Sequence, residues 1–215
     1  MRPLHRHAFD SVSCLRQVGA LEALLSQKET LKEQEDILPF FKQAPDLSLM
    51  ALGWFPSPDF ARLHLGPGQP PNVLAHEYDL NGLFIVDLIV GDHEAHKYVL
   101  VEFEDAQRDS LFTRRKPKAT PEWSRRYEHA VSQLIDWLWM LHDSSRTSRF
   151  ITAFGSEDAE FQGLIVMGRD QHLEETEQKR LKWRSNHIVV DSCKISCVTF
   201  DAFAAAARDR LTYAG

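Results

Sequence analysis

Apolar side chains have helical spacing at the beginning of this chain. Over the longer remainder, helical and strand-like spacings are mixed. Over residues 15–43, Leu21, Leu24 and Leu25 are spaced to share one helix face, ahead of a polar run. A loop is predicted at residues 66–71, where Gly and Pro dominate. We therefore expect a helical N-terminal segment over residues 1–45 and one domain over residues 46–215.

Strand-like runs occupy the middle of the chain. Apolar and β-branched residues alternate or cluster over three stretches, which are predicted as strands: 73–79, 83–90 and 97–104. Gly91 and Asp92 are expected to begin the turn between the second and third of these strands. A long basic loop is predicted to follow over residues 105–119.

The second half of the chain is predicted to alternate helices and strands. Thr120 as N-cap and Pro121 at the first helical position predict a helix that runs to about His142, with Trp137 and Trp139 in the core. The later elements are predicted as strands at 149–154 and 162–167, a polar helix at 173–184, strands at 188–190 and 195–200, and a helix at 202–211. This order predicts an α/β fold, with a mixed sheet flanked by helices.

Composition fits a cytoplasmic protein. The 215 residues are 43% hydrophobic, and no apolar run approaches the roughly 18 residues that span a bilayer. The N-terminus lacks the apolar region of a signal peptide, so no membrane partner is expected. A net charge of −6 argues against a protein that coats nucleic acid nonspecifically, but it is compatible with a nuclease whose acids bind metal.

The cysteines fit a reduced environment. Cys14, Cys193 and Cys197 are an odd number of thiols, which is typical of a cytosolic protein. Cys193 and Cys197 could be half of a zinc site, but no His ligand lies next to them. We favour buried or half-buried thiols of a strand.

Three acids interrupt or close the apolar strands. Asp87 lies inside the run 83–90, while Glu102 and Glu104 close the run 98–104. If the two runs are neighbouring strands, Asp87 and Glu102 meet at one end of the sheet, and alternation places Glu102 and Glu104 on one face. Converging carboxylates repel one another unless a cation lies between them. The alternative is that they are strand-end surface acids, with Asp87 hydrogen-bonded to a turn.

A divalent cation suits this set of acids. Mg²⁺ usually takes one or two carboxylates together with water and substrate phosphate, so Asp87 and Glu102 suffice as ligands for Mg²⁺ or Mn²⁺. Glu104 could orient the attacking water or bind a second ion. The pattern therefore favours a metal site in an enzyme that cleaves phosphodiester bonds.

Basic residues crowd the segment that follows the acids, and they are candidates for contacting the DNA backbone. They are Arg108, Arg114, Arg115, Lys116, Lys118, Arg125 and Arg126. Arg126 could hold a phosphate with its planar guanidinium group. The alternative for the basic segment is a solvated loop.

Further side chains could support the site. On the helix that follows the basic loop, His129 and Gln133 are one turn apart, and Gln133 could hold a water or the phosphate. The competing interpretations are that Gln133 is a polar residue with its hydrogen bonds made within the protein, and that His129 has only a structural role. Glu77 could add an upstream acid, although a solvated loop acid is the simpler interpretation.

Several segments resemble the PD-(D/E)XK nuclease core and, more specifically, the Shedu immune nuclease family. They are residues 35–42, 84–90, 99–105, 120–124, 129–137 and 163–169. The resemblance implies a metal-dependent DNA endonuclease in antiphage defence, with Asp87 as the first motif acid and Glu102 as the second. It also implies a homo-oligomer.

The chain departs from the family motif at one position. The motif ends Glu-x-Lys, whereas this sequence has Glu102-Phe103-Glu104. Lys116 or Lys118 could replace the missing base. A catalytically silent module that binds nucleic acid or senses a partner remains the competing hypothesis, and a hydrolase of a smaller substrate is a third.

Overall fold

A seven-stranded mixed sheet organises the described residues 4–55, 72–114 and 120–213 of this computed structural model. The strands are β1 His5–His7, β2 Asn72–Leu80, β3 Phe84–Asp92, β4 Lys97–Phe103, β5 Phe112–Thr113, β6 Glu122–Trp123, β7 Glu160–Val166, β8 Val189–Val190 and β9 Cys193–Val198. The main sheet has the order β1-β2-β3-β4-β7-β9-β8, and β5 and β6 form a separate two-stranded ribbon. The predicted loop at 66–71 and the cations Arg115, Lys116 and Lys118 lie outside the described residues.

Helices cover both faces of the sheet. The α-helices are α1 Ser11–Gln27, α2 Leu38–Lys42, α3 Pro45–Leu49, α4 Arg125–Ser144, α5 Ser148–Phe154, α6 Glu175–His187 and α7 Phe200–Tyr213. A π-helical turn spans Glu33–Ile37, and 3₁₀ turns span Met50–Trp54 and Asp170–His172. No helix in the described part of the chain combines the length and apolarity that crossing a membrane requires.

The direction of pairing changes at β4. Strands β1 to β4 pair antiparallel, whereas β4, β7 and β9 run parallel to one another. The helix α4 lies in the long connection from β4 to β7, which a parallel pair requires. The predicted mixed sheet flanked by helices is therefore confirmed.

Alternation along β4 divides the core into two layers. Val99 and Val101 face a layer built from α1 to α3 and α7, whereas Tyr98 and Leu100 face α4 and α5. The helical N-terminal segment thus packs on the same sheet as the rest of the chain, and it also contributes the edge strand β1. The predicted division at residue 45 stays a prediction.

The predicted strand at 149–154 is wrong, because these residues form the helix α5. The Thr147 side chain accepts a hydrogen bond from the Phe150 N–H at 3.2 Å, and Gly155 ends the helix at a φ of 80°. Phe150 and Phe154 are four residues apart and pack together in the core. Helix caps therefore outweighed the apolar run that had predicted a strand.

The predicted start of the long helix at Thr120 and Pro121 is also wrong. The next residues form the short strand β6, and α4 begins at Arg125 with Ser124 as its N-cap. The Ser124 hydroxyl accepts the Tyr127 N–H at 2.9 Å and donates to the Ser110 carbonyl. Ser124 thereby joins the helix to the segment that follows β4.

Replacing Ser124 by Ala should lower the free energy of unfolding by about 1–2 kcal/mol, because a cap and a buried hydrogen bond are lost together. Urea unfolding followed by circular dichroism measures this change. Ser132→Ala is the matched control, since Ser132 is exposed in the middle of α4. Equal stability of the two variants would contradict the cap assignment.

Two smaller predictions also need correction. Gly91 and Asp92 are the last residues of β3 rather than the start of the turn, which spans residues 93–96. Trp137 is buried in the core as predicted, but Trp139 is 55% exposed. Cys193 is half-buried and Cys197 buried on β9, which confirms the interpretation as strand thiols.

Candidate acidic site

The sheet opens between β3 and β4 at Asp87. The ladder between these strands ends at the pair Leu88–Val101, although β3 stays paired with β2 as far as Phe84. Beyond that point the Asp87 carboxylate accepts the Phe103 N–H at 2.8 Å. The Asp87 side chain therefore accepts a hydrogen bond that a backbone carbonyl of β3 would accept in a continuous ladder.

Glu102 lies directly across this opening. The strand register places it opposite Asp87, so the two carboxyl groups are neighbours across the opening. The Glu102 side chain is almost completely enclosed, and its Oε2 has no hydrogen-bond partner among the described residues. Burial raises the pKa of both acids, and the charge of Asp87 raises the pKa of Glu102 further. The predicted meeting of Asp87 and Glu102 is confirmed.

Glu104 is the first residue beyond β4. Its N–H donates to the Val166 carbonyl at 3.1 Å, so the backbone still follows β7, and its side chain is buried. Burial, followed by the charge of Glu33, raises the pKa of Glu104 to about 8. The Arg126 guanidinium lies 3.5 Å from Glu104 Oε2 and lowers this pKa.

Glu33 is an acid of the site that the sequence did not single out. The isolated bridge between Leu31 and Ala106 brings its segment to the end of β4, and the Glu33 N–H donates to Asp105 Oδ1 at 2.7 Å. The charge of Glu33 contributes to the raised pKa values of all the acids described above. Within the polar run of its segment, nothing in the sequence distinguished Glu33 from its acidic neighbours.

Arg126 is held by acids rather than left free. Its Nη1 lies 2.6 Å from Asp105 Oδ2, in addition to its contact with Glu104. On the same helix, His129 is exposed and Gln133 is half-buried. The helix α4 therefore presents its first turn to the acids, while the roles proposed for His129 and Gln133 stay predictions.

Two other predicted residues are engaged by ion pairs. Arg114 contacts Glu177 Oε2 at 2.8 Å and Glu174 Oε1 at 3.0 Å, which ties it to α6. Glu77 pairs with Lys42 at 2.8 Å and has a φ of 51°, and its charge adds to the raised pKa of Asp87. Glu77 is therefore close enough to influence the site, but its carboxylate has a cationic partner.

The donor set suits a hard divalent cation. Over the ranges that the structure describes, no group of three or more His, Cys, Asp or Glu side chains is arranged to hold a metal ion. Mg²⁺ needs only one or two carboxylates, with water and substrate oxygens completing its shell. Asp87 and Glu102 could supply that pair, and the enclosed Oε2 of Glu102 has no hydrogen-bond donor among the described residues.

The fold and the site together define a mixed α/β protein with a buried acidic centre where two strands of its sheet separate. A family model described as Shedu protein SduA, C-terminal, matches residues 31–204. The chain therefore belongs to this family, as the sequence motifs had indicated. No curated protein gives a significant match. The matched region begins just before Glu33 and includes every acid of the site.

Proposed function

We propose that this protein is a metal-dependent DNA endonuclease of antiphage defence, built on a PD-(D/E)XK core. The observation that carries the proposal is the crowding of the half-buried Asp87 with the buried Glu102 and Glu104 where β3 and β4 separate. Such crowding is unfavourable for folding, and a bound divalent cation would relieve it. Membership of the Shedu family supports both the activity and the biological role.

Asp87 and Glu102 would hold the cation. A bound Mg²⁺ or Mn²⁺ supplies electrostatic activation of the scissile phosphate and lowers the pKa of water. The hydrogen bond from the Phe103 N–H fixes the Asp87 carboxylate, and the strand register places Glu102 opposite it. Both acids therefore lie on regular strands, which position side chains more accurately than loops do.

Glu104 would accept the proton of the attacking water. It occupies the position of the motif lysine, and the Arg126 guanidinium, 3.5 Å from its Oε2, favours the ionised carboxylate that a base requires. Arg126 would hold Glu104 and Asp105 in place and present its remaining N–H groups to the DNA backbone. Arg114, which ion pairs anchor to α6, would add a second contact to the DNA backbone.

DNA cleavage tests this proposal. Wild type should cleave plasmid DNA with Mg²⁺ or Mn²⁺, whereas Asp87→Asn should reduce cleavage to the level of the EDTA control, because it removes a ligand charge while keeping the side-chain shape. Asp136→Asn is the matched control, since Asp136 is exposed on α4. Cleavage that survives Asp87→Asn would exclude the assigned site.

The substitution of the motif lysine by Glu104 favours one competing function. In a catalytically silent module, Arg126 would neutralise Glu104 and Asp105, and the acids would serve only the fold or a partner. This alternative predicts DNA or partner binding without cleavage under any divalent metal. The same plasmid assay, run beside a DNA-binding measurement, separates the two functions.

A further inference from the structure

An aromatic pair is exposed on α6, away from the acidic site. Trp183 is 64% exposed, and its indole stacks on the His187 ring with centroids 4.4 Å apart and planes 13° apart. The His187 Nδ1 lies 2.6 Å from the Trp183 carbonyl oxygen, which fixes the imidazole over the helix end. The outer face of the indole is therefore open to a flat partner.

Cations surround this pair. Lys179, Arg180, Trp183 and His187 follow helical spacing and share one face, which we call the α6 stripe. Lys182 is exposed beside Trp183, while Lys194 contacts Asn186 in the last turn at 3.4 Å. Acids lie nearby as well, since Glu175 pairs with Lys179, Glu128 pairs with Arg184, and Glu174 and Glu177 pair with Arg114. The stripe is a local basic surface on a chain whose net charge is −6.

Side-chain contacts link the α6 stripe to the elements beside the acidic site. Arg180 lies 4.9 Å from the Phe112 ring centroid and 5.3 Å from that of Trp123, and it donates to the Pro121 carbonyl. Arg184 lies over Trp123 as well and forms a two-pronged ion pair with Glu128 on α4. The stripe therefore packs against the ribbon of β5 and β6 and is ion-paired to the first turn of α4, which also carries Arg126.

The chemistry of the stripe favours single-stranded nucleic acid as its occupant. An aromatic side chain surrounded by cations is the arrangement that stacks an unpaired base while it neutralises the adjoining phosphates. A duplex hides its base faces, so it cannot use the indole. A protein interface places its aromatic residues in a core from which lysine is depleted, whereas Trp183 has lysines on its own helix.

We propose that the α6 stripe binds a single-stranded DNA segment that flanks the cleavage site, with an unpaired base stacked on Trp183. Phosphates of that segment lie against Lys179 and Lys182. The position relative to cleavage rests on the proposed nuclease function, but binding at the stripe does not. DNA that contains an unpaired stretch is then held by two linked contacts, one at the acids and one at Trp183.

Binding of a fluorescein-labelled oligothymidylate, measured by anisotropy in EDTA, tests the stripe without any cleavage. Trp183→Ala should weaken binding about tenfold, whereas Trp183→Phe, which keeps a stacking ring, should stay within about twofold of wild type. Trp139→Ala is the matched control, because Trp139 is also an exposed tryptophan. Since Trp183 is exposed, the variants should keep the wild-type circular dichroism spectrum.

Several outcomes would overturn the proposal. Unchanged oligothymidylate affinity in Trp183→Ala would exclude stacking, and an equal loss in Trp139→Ala would show a nonspecific surface effect. Tighter binding of oligouridylate or of a blunt duplex than of oligothymidylate would exclude single-stranded DNA. A change in sedimentation of Trp183→Ala with unchanged affinity would assign the stripe to a second copy of the chain. The loss of oligothymidylate affinity in Trp183→Ala is measured in EDTA and does not depend on cleavage, whereas the plasmid assay measures cleavage alone, so failure of the stripe and failure of the nuclease are distinguishable.

Discussion

Glu102→Gln should raise the melting temperature of the metal-free protein by about 4–8 °C at pH 8, which corresponds to about 2 kcal/mol for a chain of this size. The side chain is almost completely enclosed, and burial and the charge of Asp87 both raise its pKa. A neutral amide of the same shape removes the cost of ionising this group inside the protein.

The stabilisation by Glu102→Gln should depend on pH. Because the folded state raises the pKa of Glu102 above its unfolded value of about 4.3, the folded state binds its proton more tightly. The contribution of Glu102 to stability is therefore greatest below the unfolded pKa, and it is lost as the pH rises from the unfolded pKa through the folded one. The advantage of Glu102→Gln should accordingly shrink toward pH 5 and grow toward pH 8.

Divalent metal should give wild type a higher melting temperature than Glu102→Gln. Millimolar Mg²⁺ or Mn²⁺ should raise the melting temperature of wild type, because a ligand that binds only the folded state stabilises it, and should have little effect on Glu102→Gln. Glu157→Gln is the matched control, since Glu157 is exposed. A melting temperature below that of wild type for metal-free Glu102→Gln at pH 8 would contradict the assignment of Glu102 as a buried acid whose ionisation destabilises the fold.

Phe103→Ala should destabilise the fold by about 3–5 kcal/mol, the usual cost of truncating a buried phenylalanine. Phe103 is completely buried and stacks on Phe41, with ring centroids 4.3 Å apart, and on Phe200. The ring therefore joins the end of β4 to α2 and α7. Because Phe103 separates Glu102 from Glu104, the same substitution should also loosen the acidic site.

Urea unfolding with an unchanged m-value would measure the loss in Phe103→Ala. Phe40→Ala is a useful control, because Phe40 is only partly buried and should cost much less. Phe103→Leu should recover most of the lost stability, since it fills much of the cavity. A loss below about 1 kcal/mol in Phe103→Ala would contradict the packing described here.

The central strands and the opposition of Asp87 and Glu102 were predictable from the sequence. The apolar runs around these acids are long enough to specify strands. Because the connection between them is short, the strands pair antiparallel, and their register brings Asp87 and Glu102 together. The motifs that follow in order along the chain are enough to indicate the family, which the family model over residues 31–204 shows.

Other elements could not be predicted because their local signals were ambiguous. The run 149–154 is apolar enough for a strand, but the caps at Thr147 and Gly155 select a helix. The Thr-Pro pair at 120–121 resembles a helix start, yet the buried contacts of Ser124 place the true cap later. Trp139 was expected in the core, although its position on α4 faces solvent.

The sequence by itself determined the identity of the acidic strands, because alternation and apolar length are local properties of the chain. Only the tertiary structure decided which other groups reach those acids. Glu33 arrives from the N-terminal segment through a single bridge, and Arg126 arrives from α4 to contact Glu104 and Asp105. These contacts join residues far apart in the chain, and they depend on how the helices pack against the opened sheet rather than on any local pattern.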